Sequence, residues 1–362
     1  MNDKAIQRPA AEQTYREELE RLSRCDSGSV PPGWNLSPFA VEKFILGDRE
    51  LNIEPKFVGS RELITRIIIN LATNRGAMLI GEPGTAKSWL SELLACAVSG
   101  QSTLTVQGGA ITSTNQLLYS WNEAQLKNTG PTKQALIASP IYQGMVKGQL
   151  VRFEEIARCP QHIQDSILSI LSERQIQIPE LEGEDSVVYA RDGFNIIATS
   201  NSLDKGVHEM SAALKRRMNF ETIAPIRNIH DEIDVVAREA EKLIRASGVE
   251  VTPSPEVIEV LVTIFHELRN GQTLDGRSTD RLAATVMSTA EAISVVHAMG
   301  VHAYYYRNSE IQLSDLVNFL MGAALKDNKE DKRRMKHYFE TEVSLKKGPH
   351  WMAVYEQRHH LQ

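Results

Sequence analysis

One stretch constrains this chain more than any other: Gly81-Glu82-Pro83-Gly84-Thr85-Ala86-Lys87-Ser88. The apolar run Ala77-Met78-Leu79-Ile80 leads into it, and Trp89-Leu90-Ser91-Glu92-Leu93-Leu94-Ala95 follows with helical patterning. Strand, glycine-bearing loop, Lys-Ser pair and helix, in that order, make a phosphate cradle. Backbone N–H groups of the loop and the helix N-terminus point at the phosphates. Lys87 would reach the β- and γ-phosphates as a point charge, and the Ser88 hydroxyl would sit on Mg²⁺. The expected nucleotide contacts are these eight residues together with Trp89. The usual pattern has glycine directly before the lysine; here Ala86 stands there, which removes some backbone freedom. Read without a ligand, the same letters make a Gly-Pro turn. The Lys-Ser pair at this offset, with a strand before and a helix after, favours the phosphate reading.

Composition narrows the partners. The chain has 362 residues, enough for two or three domains, and 42% hydrophobic residues supply a real core. A net charge of −6 offers no basic field for nucleic acid or anionic lipid. Cys25, Cys96 and Cys159 stand far apart and form no CxxC pair, which argues against a disulfide framework or a zinc site. The ten histidines do not cluster at metal-ligand spacing. The N-terminus carries no signal-peptide core, and the most apolar stretch, residues 63–71, is interrupted by Arg66. The expectation is a soluble cytoplasmic protein with no membrane span.

Along the chain, residues 10–23 are charged with Tyr15, Leu19 and Leu22 on one helical side. Residues 27–32 break the pattern and 38–46 suit a second helix, so a solvated arm and a docked element both stay open. Ser60 caps a helix over 61–74. Beyond the phosphate loop, 102–107 read as a strand, 111–121 as a helix, and 122–140 as a polar insertion. Residues 149–155 read as a strand ending in two acids, 160–173 as a helix, and 175–179 with 186–189 as a hairpin. Residues 194–201 form a strand ending in Asn201, and 220–226 a fifth strand. Strands alternating with helices imply an α/β fold with a parallel five-stranded sheet. Helices are expected over 231–246, 254–270, 278–299 and 313–325, and the charged tail 326–336 reads as a solvated helix. The expected division is 1–50 accessory, 51–226 nucleotide-binding, 227–330 helical lid, 331–362 tail.

Taken with the features that follow it, the phosphate loop resembles that of the AAA+ ATPases, specifically the MoxR family and within it the YehL-type subgroup, over roughly residues 50–330. Glu154-Glu155 fall where that family has its second acidic motif. One acid helps hold Mg²⁺ and the next polarises the attacking water. The family normally has Asp then Glu; here Glu154 replaces the Asp and Arg152 interrupts the apolar run before it. The resemblance makes Glu155 the base, Glu154 with Ser88 the metal pair, and Asn201 the first sensor, positioning water. Arg217, directly before Met218, aligns as the finger that reaches a neighbouring subunit's site, with Arg216 second. Arg281 matches the second sensor, with Arg277 a rival. Residues 122–140 and 175–189 resemble two loops that line the ring pore in this clade.

These matches imply an ATP-hydrolysing chaperone or remodelling machine, with ATP and Mg²⁺ as cofactors. It would assemble as a ring, expected to be a hexamer because the finger acts in trans, and would work with a von Willebrand A domain protein. Two alternatives stand beside it. One is a nucleic-acid motor of the restriction-translocase kind, which the charge argues against. The other is a nucleotide-gated scaffold with little turnover, which the Glu154 departure leaves open.

Overall fold

The computed structural model describes residues 6–201, 208–282, 287–307, 310–323, 325 and 328–361. The sequence expectations over 283–286, 324 and 326–327 lie outside the described residues. The chain divides into two compact units. The first runs to Gly81 and resumes over Ala86–Ile223; the second comprises Glu82–Thr85 and the chain from Ala224 onward.

Among the described residues the first unit is built on nine strands: β1 Gly76–Gly81, β2 Thr105–Gln107, β3 Tyr119–Trp121, β4 Leu136–Ala138, β5 Leu150–Glu154, β6 Gln175–Gln177, β7 Val187–Tyr189, β8 Asn195–Asn201 and β9 Met218–Ile223. Five of them form one sheet in the order β2-β5-β8-β1-β9. Every pair in it is parallel, so each return runs through a crossover. Both faces are covered, and the pleat divides the apolar run accordingly. Ala77 and Leu79 join one core with Ile64, Ile67, Leu90 and Leu94, while Met78 joins the other with Phe153, Ile163 and Ile196.

Several expectations are corrected. The helix over 111–121 is one turn, Thr114–Leu117, because Tyr119–Trp121 pairs antiparallel with Leu136–Ala138 instead. The insertion 122–140 therefore contains β4 and the helix Glu123–Thr129. The strand over 102–107 shortens to Thr105–Gln107. The helix over 160–173 splits into Gln161–Asp165 and Leu168–Glu173; the Ser166 hydroxyl donates to the Ile163 carbonyl (2.6 Å) at the break, competing with the backbone ladder. The hairpin is present as β6 paired with β7.

Residues 11–50 are docked. Leu22, Trp34, Val41, Phe44 and Ile45 share the core of the first unit. The buried Lys56 ammonium donates to the Glu18 carboxylate (2.5 Å) and to the Phe44 and Glu54 carbonyls, tying the helix Arg16–Cys25 down. All three cysteines are free; burial pushes the Cys96 thiol up to about 12 and the Cys159 thiol up to about 11, so both stay protonated.

Helices Ile229–Ala246, Pro255–Asn270, Thr289–Tyr306, Leu316–Ala323, Lys329–Thr341 and Pro349–Glu356 make up the second unit. The helix expected over 278–299 begins at Thr289, capped by Ser288, whose hydroxyl accepts from the Glu291 N–H. The tail is not a solvated helix. Met335, Tyr338 and Phe339 lie on one face of Lys329–Thr341 and are fully buried. The buried Glu267 carboxylate accepts from the Tyr338 hydroxyl (2.6 Å) and the Lys346 ammonium (2.7 Å). Among the described residues no helix is long and apolar enough to cross a membrane.

Candidate functional site

The site sits at the carboxyl ends of the central strands, where open α/β sheets bind ligands. In register, Gly81 of β1 lies beside Asn201 of β8 and Ile223 of β9, and Phe153 of β5 lies beside Ala198. The end of β1, Glu154 and Asn201 are thereby brought to one edge. Asn201 is half-buried there.

Lys87 opens the helix Lys87–Ser99 and is buried, with its Nζ donating to the Gly81 carbonyl (3.1 Å). Thr85 donates from its hydroxyl to the Glu82 carbonyl (2.9 Å), closing the loop tip. Ala86, the departure from glycine, caps the helix in the left-handed region at φ 62°, ψ 25°. A Cβ in that region costs roughly 1–2 kcal/mol, partly offset by the freedom glycine has in the unfolded chain. Ala86→Gly is therefore expected to raise unfolding stability by about 0.5–1 kcal/mol, read as a shifted urea midpoint with unchanged slope. Trp89, expected among the nucleotide contacts, uses its side chain otherwise. Its indole N–H donates to the Lys56 carbonyl (3.2 Å), and its ring lies 6.2 Å from Tyr15. It is a strut between the phosphate-loop helix and the N-terminal region.

Glu154 is buried and held by four donors. Oε2 accepts from the hydroxyls of Ser88 (2.6 Å) and Thr199 (2.7 Å); Oε1 accepts from Ser91 (2.6 Å) and from Arg152 Nη2 (2.9 Å). Burial alone would raise its pKa, but the Ser88 and Ser91 hydrogen bonds, the Arg152 charge and the Thr199 hydroxyl outweigh it and hold it below the usual carboxylate value. Glu154 is thus an anion beside the Ser88 hydroxyl. Two hard oxygens at this spacing fit a cation that keeps most of its waters and takes phosphate oxygens, as Mg²⁺ does.

Glu155 follows in a left-handed conformation, φ 54°, ψ 46°, which takes it out of the strand. Its backbone N–H donates to Thr199 Oγ1 (3.0 Å), and its carboxylate pairs with Arg158 Nε at 2.7 Å. Strained backbone of this kind gathers at functional sites. Gly108, after β2, is required here: a Cβ would lie 2.2 Å from the Glu155 carbonyl oxygen.

Of the two finger candidates, Arg217 is engaged within its own unit. Its Nε donates to the Ser172 hydroxyl and its Nη1 to the Ala213 carbonyl (3.2 Å). Arg216 is exposed on the surface after the short helix Ala212–Lys215. In the second unit Arg281 is exposed and its Nε donates to the Arg269 carbonyl (3.0 Å), whereas Arg277 pairs with Glu342 at 3.0 Å. Arg152, Ser91 and Thr199 belong to the site although they were not among the expected residues. Arg152 gave a signal, a cation inside an apolar strand; the two hydroxyls gave none.

Residues 76–218 match the model for the AAA domain of the dynein-related subfamily, and residues 230–362 match the model for the YehL-like AAA+ ATPase C-terminal domain. YehL of Escherichia coli (strain K12) is 50% identical over 357 residues, 98% of each chain. Among solved structures, NtrX from Brucella abortus in complex with ATP has TM-score 0.49 at 15% identity, covering 85% of this chain and 69% of that one. Another NtrX chain from that organism has TM-score 0.48 at 13% identity; this chain, matched over 82%, spans 64% of its length. The Thermotoga maritima RuvB Holliday junction branch migration motor has TM-score 0.46 at 14% identity, covering 79% of this chain and 77% of that one. With both of its units matched and half of its residues shared with YehL, the chain belongs to the YehL-like AAA+ ATPases.

Proposed function

We propose that this protein hydrolyses ATP and uses the cycle to remodel or mature a partner protein, working as a ring. One observation carries the reading: Ser88 and Glu154 meet at 2.6 Å at the strand ends, beside the buried Lys87 and directly before Glu155. Lys87 and the loop N–H groups hold the phosphates. Mg²⁺, held by Ser88 and Glu154, supplies charge neutralisation when bound. Glu155 orients water and takes its proton as the oxygen attacks the γ-phosphorus, Asn201 fixes that water, and ADP departs with phosphate leaving separately. Either Arg216 or Arg217 serves a neighbouring subunit, which is why a ring, a hexamer by resemblance, is part of the reading. The paired strands β3/β4 and β6/β7 are the elements that would face a pore. A von Willebrand A domain protein is the partner we favour.

The test uses two variants in the native cell. Lys87→Ala is expected to lose nucleotide binding, since it removes the cation at the phosphates. Glu155→Gln, held with ATP, is expected to retain a partner that the Lys87→Ala protein does not. Mass spectrometry of the retained material reads the result. Nucleic acid in place of a protein, or identical retention by both variants, would overturn the remodelling reading.

A further inference from the structure

Arg152 has no place in an ordinary acidic motif. It lies within β5, whose five residues are all buried, and is itself 9% exposed. A guanidinium there needs partners for its donors. Nε donates to the Ser91 hydroxyl (3.0 Å), Nη1 to the Ser102 carbonyl (3.1 Å), and Nη2 to the Ser88 carbonyl (3.0 Å) and Glu154 Oε1 (2.9 Å). Glu92 of the same helix lies 3.6 Å away. Two of these partners, Ser88 and Ser91, stand on the first turns of the phosphate-loop helix. Arg152 therefore ties that helix to the strand that carries Glu154.

The consequence falls on the carboxylate. Glutamate is one methylene longer than the family's aspartate and has one more torsion to fix. Arg152 and Ser91 together occupy Oε1, which leaves Oε2 against Ser88 and Thr199. The arginine thus helps fix the orientation of the carboxylate, with its other oxygen against the Ser88 hydroxyl. Arg152 and Glu154 also sit two residues apart on one strand, so their side chains share a face.

We infer that Arg152 is a positioning residue for Glu154, and that the two departures at 152 and 154 compensate one another as a unit. The clamp holds the longer acid where a lone aspartate after an apolar residue would place its carboxylate. The inference rests on the metal role given to Glu154 under the proposed function, and its test separates the two.

The experiment is a double-mutant cycle with Arg152→Leu, Glu154→Asp and the pair combined, which rebuilds the ordinary motif. Affinity for a fluorescent ATP analogue is measured across free Mg²⁺ concentrations and in EDTA, beside the half-saturating Mg²⁺ and the KM for ATP in turnover. Each single change is expected to raise the half-saturating Mg²⁺ about tenfold or more, as loss of an outer partner of a metal ligand does. Affinity in EDTA should stay within about twofold, because neither residue is assigned to the phosphates. The combined variant is expected to return to within about threefold of the parent, a coupling that independent sites do not show. Unchanged Mg²⁺ dependence in the singles, or a combined variant as impaired as the product of the two, overturns the inference. If Arg152→Leu does not fold, Arg152→Lys, which keeps charge but loses the fork, and Ser91→Ala carry the test. Each should raise half-saturating Mg²⁺ about threefold, and no shift in either overturns it. A parent that binds no nucleotide overturns the proposed function as well; a parent that turns over ATP while Arg152 proves indifferent overturns this inference alone.

Discussion

Glu155→Gln should leave the chain able to hold ATP while phosphate release falls about 100-fold or more, the usual contribution of a positioned general base. The substitution keeps the shape of the side chain and its left-handed backbone, so strain at φ 54° is unchanged. It removes the carboxylate's capacity to take a proton. The ion pair with Arg158 goes too, but both side chains are partly exposed, at 32% and 48%. Such pairs contribute at most about 1 kcal/mol, so unfolding stability should barely move. The Glu154 cluster is untouched, because the contact from residue 155 to Thr199 runs through its backbone N–H. Steady-state phosphate release and equilibrium binding of an ATP analogue check this together. Turnover equal to the parent's would sink the assignment of the base; loss of binding would place Glu155 among the phosphate contacts.

What could be read from the sequence divides along the range of the interactions involved. The phosphate loop and the acids at the end of β5 are set by order and spacing over a few residues, and they stand where those patterns put them. Tyr119–Trp121 is different. Its apolar letters suit a helix turn equally well, and only pairing with Leu136–Ala138 decides the matter. The commitment of Arg217 within its own unit is invisible in the sequence for a related reason. Adjacent arginines look alike until Ser172, 45 residues away, takes the guanidinium of one. The tail carried a legible signal that its charge obscured. Met335, Tyr338 and Phe339 recur at helical spacing among charged residues and fill the core of the second unit. Arg152 was visible as an anomaly, yet its meaning depends on Ser88 and Ser91, which belong to another element. Local pattern thus locates the chemistry, and tertiary hydrogen bonds determine which side chains are committed and which are exposed.

The second unit should depend on one buried ion pair more than on any other polar contact in it. Glu232 of Ile229–Ala246 is fully buried, and Arg269 of Pro255–Asn270 grips it with two hydrogen bonds, 2.9 and 2.6 Å. Thr289 donates to the same carboxylate (2.7 Å), and Arg269 donates to the Met287 carbonyl (3.0 Å), so three helices meet there. Arg269→Met leaves the carboxylate buried without its cation and should destabilise this unit by about 3–5 kcal/mol. Glu232→Leu combined with Arg269→Met strands no charge and should recover more than half of that loss. The pH dependence follows the same pair. Burial pushes the Glu232 carboxyl up, but hydrogen bonds from His266 and Arg269, the Arg269 charge and Thr289 pull it down further, from the ordinary 4.5 to about 2. A carboxyl depressed in the folded state binds its proton more readily when unfolded. Its stabilisation is therefore complete above pH 4.5 and is lost as pH falls from there towards about 2. The double variant should lack that acid-labile component. Amide hydrogen exchange of Pro255–Asn270 reports on this unit by itself, and Arg269→Met exchange rates matching the parent's would refute the pair's dominance.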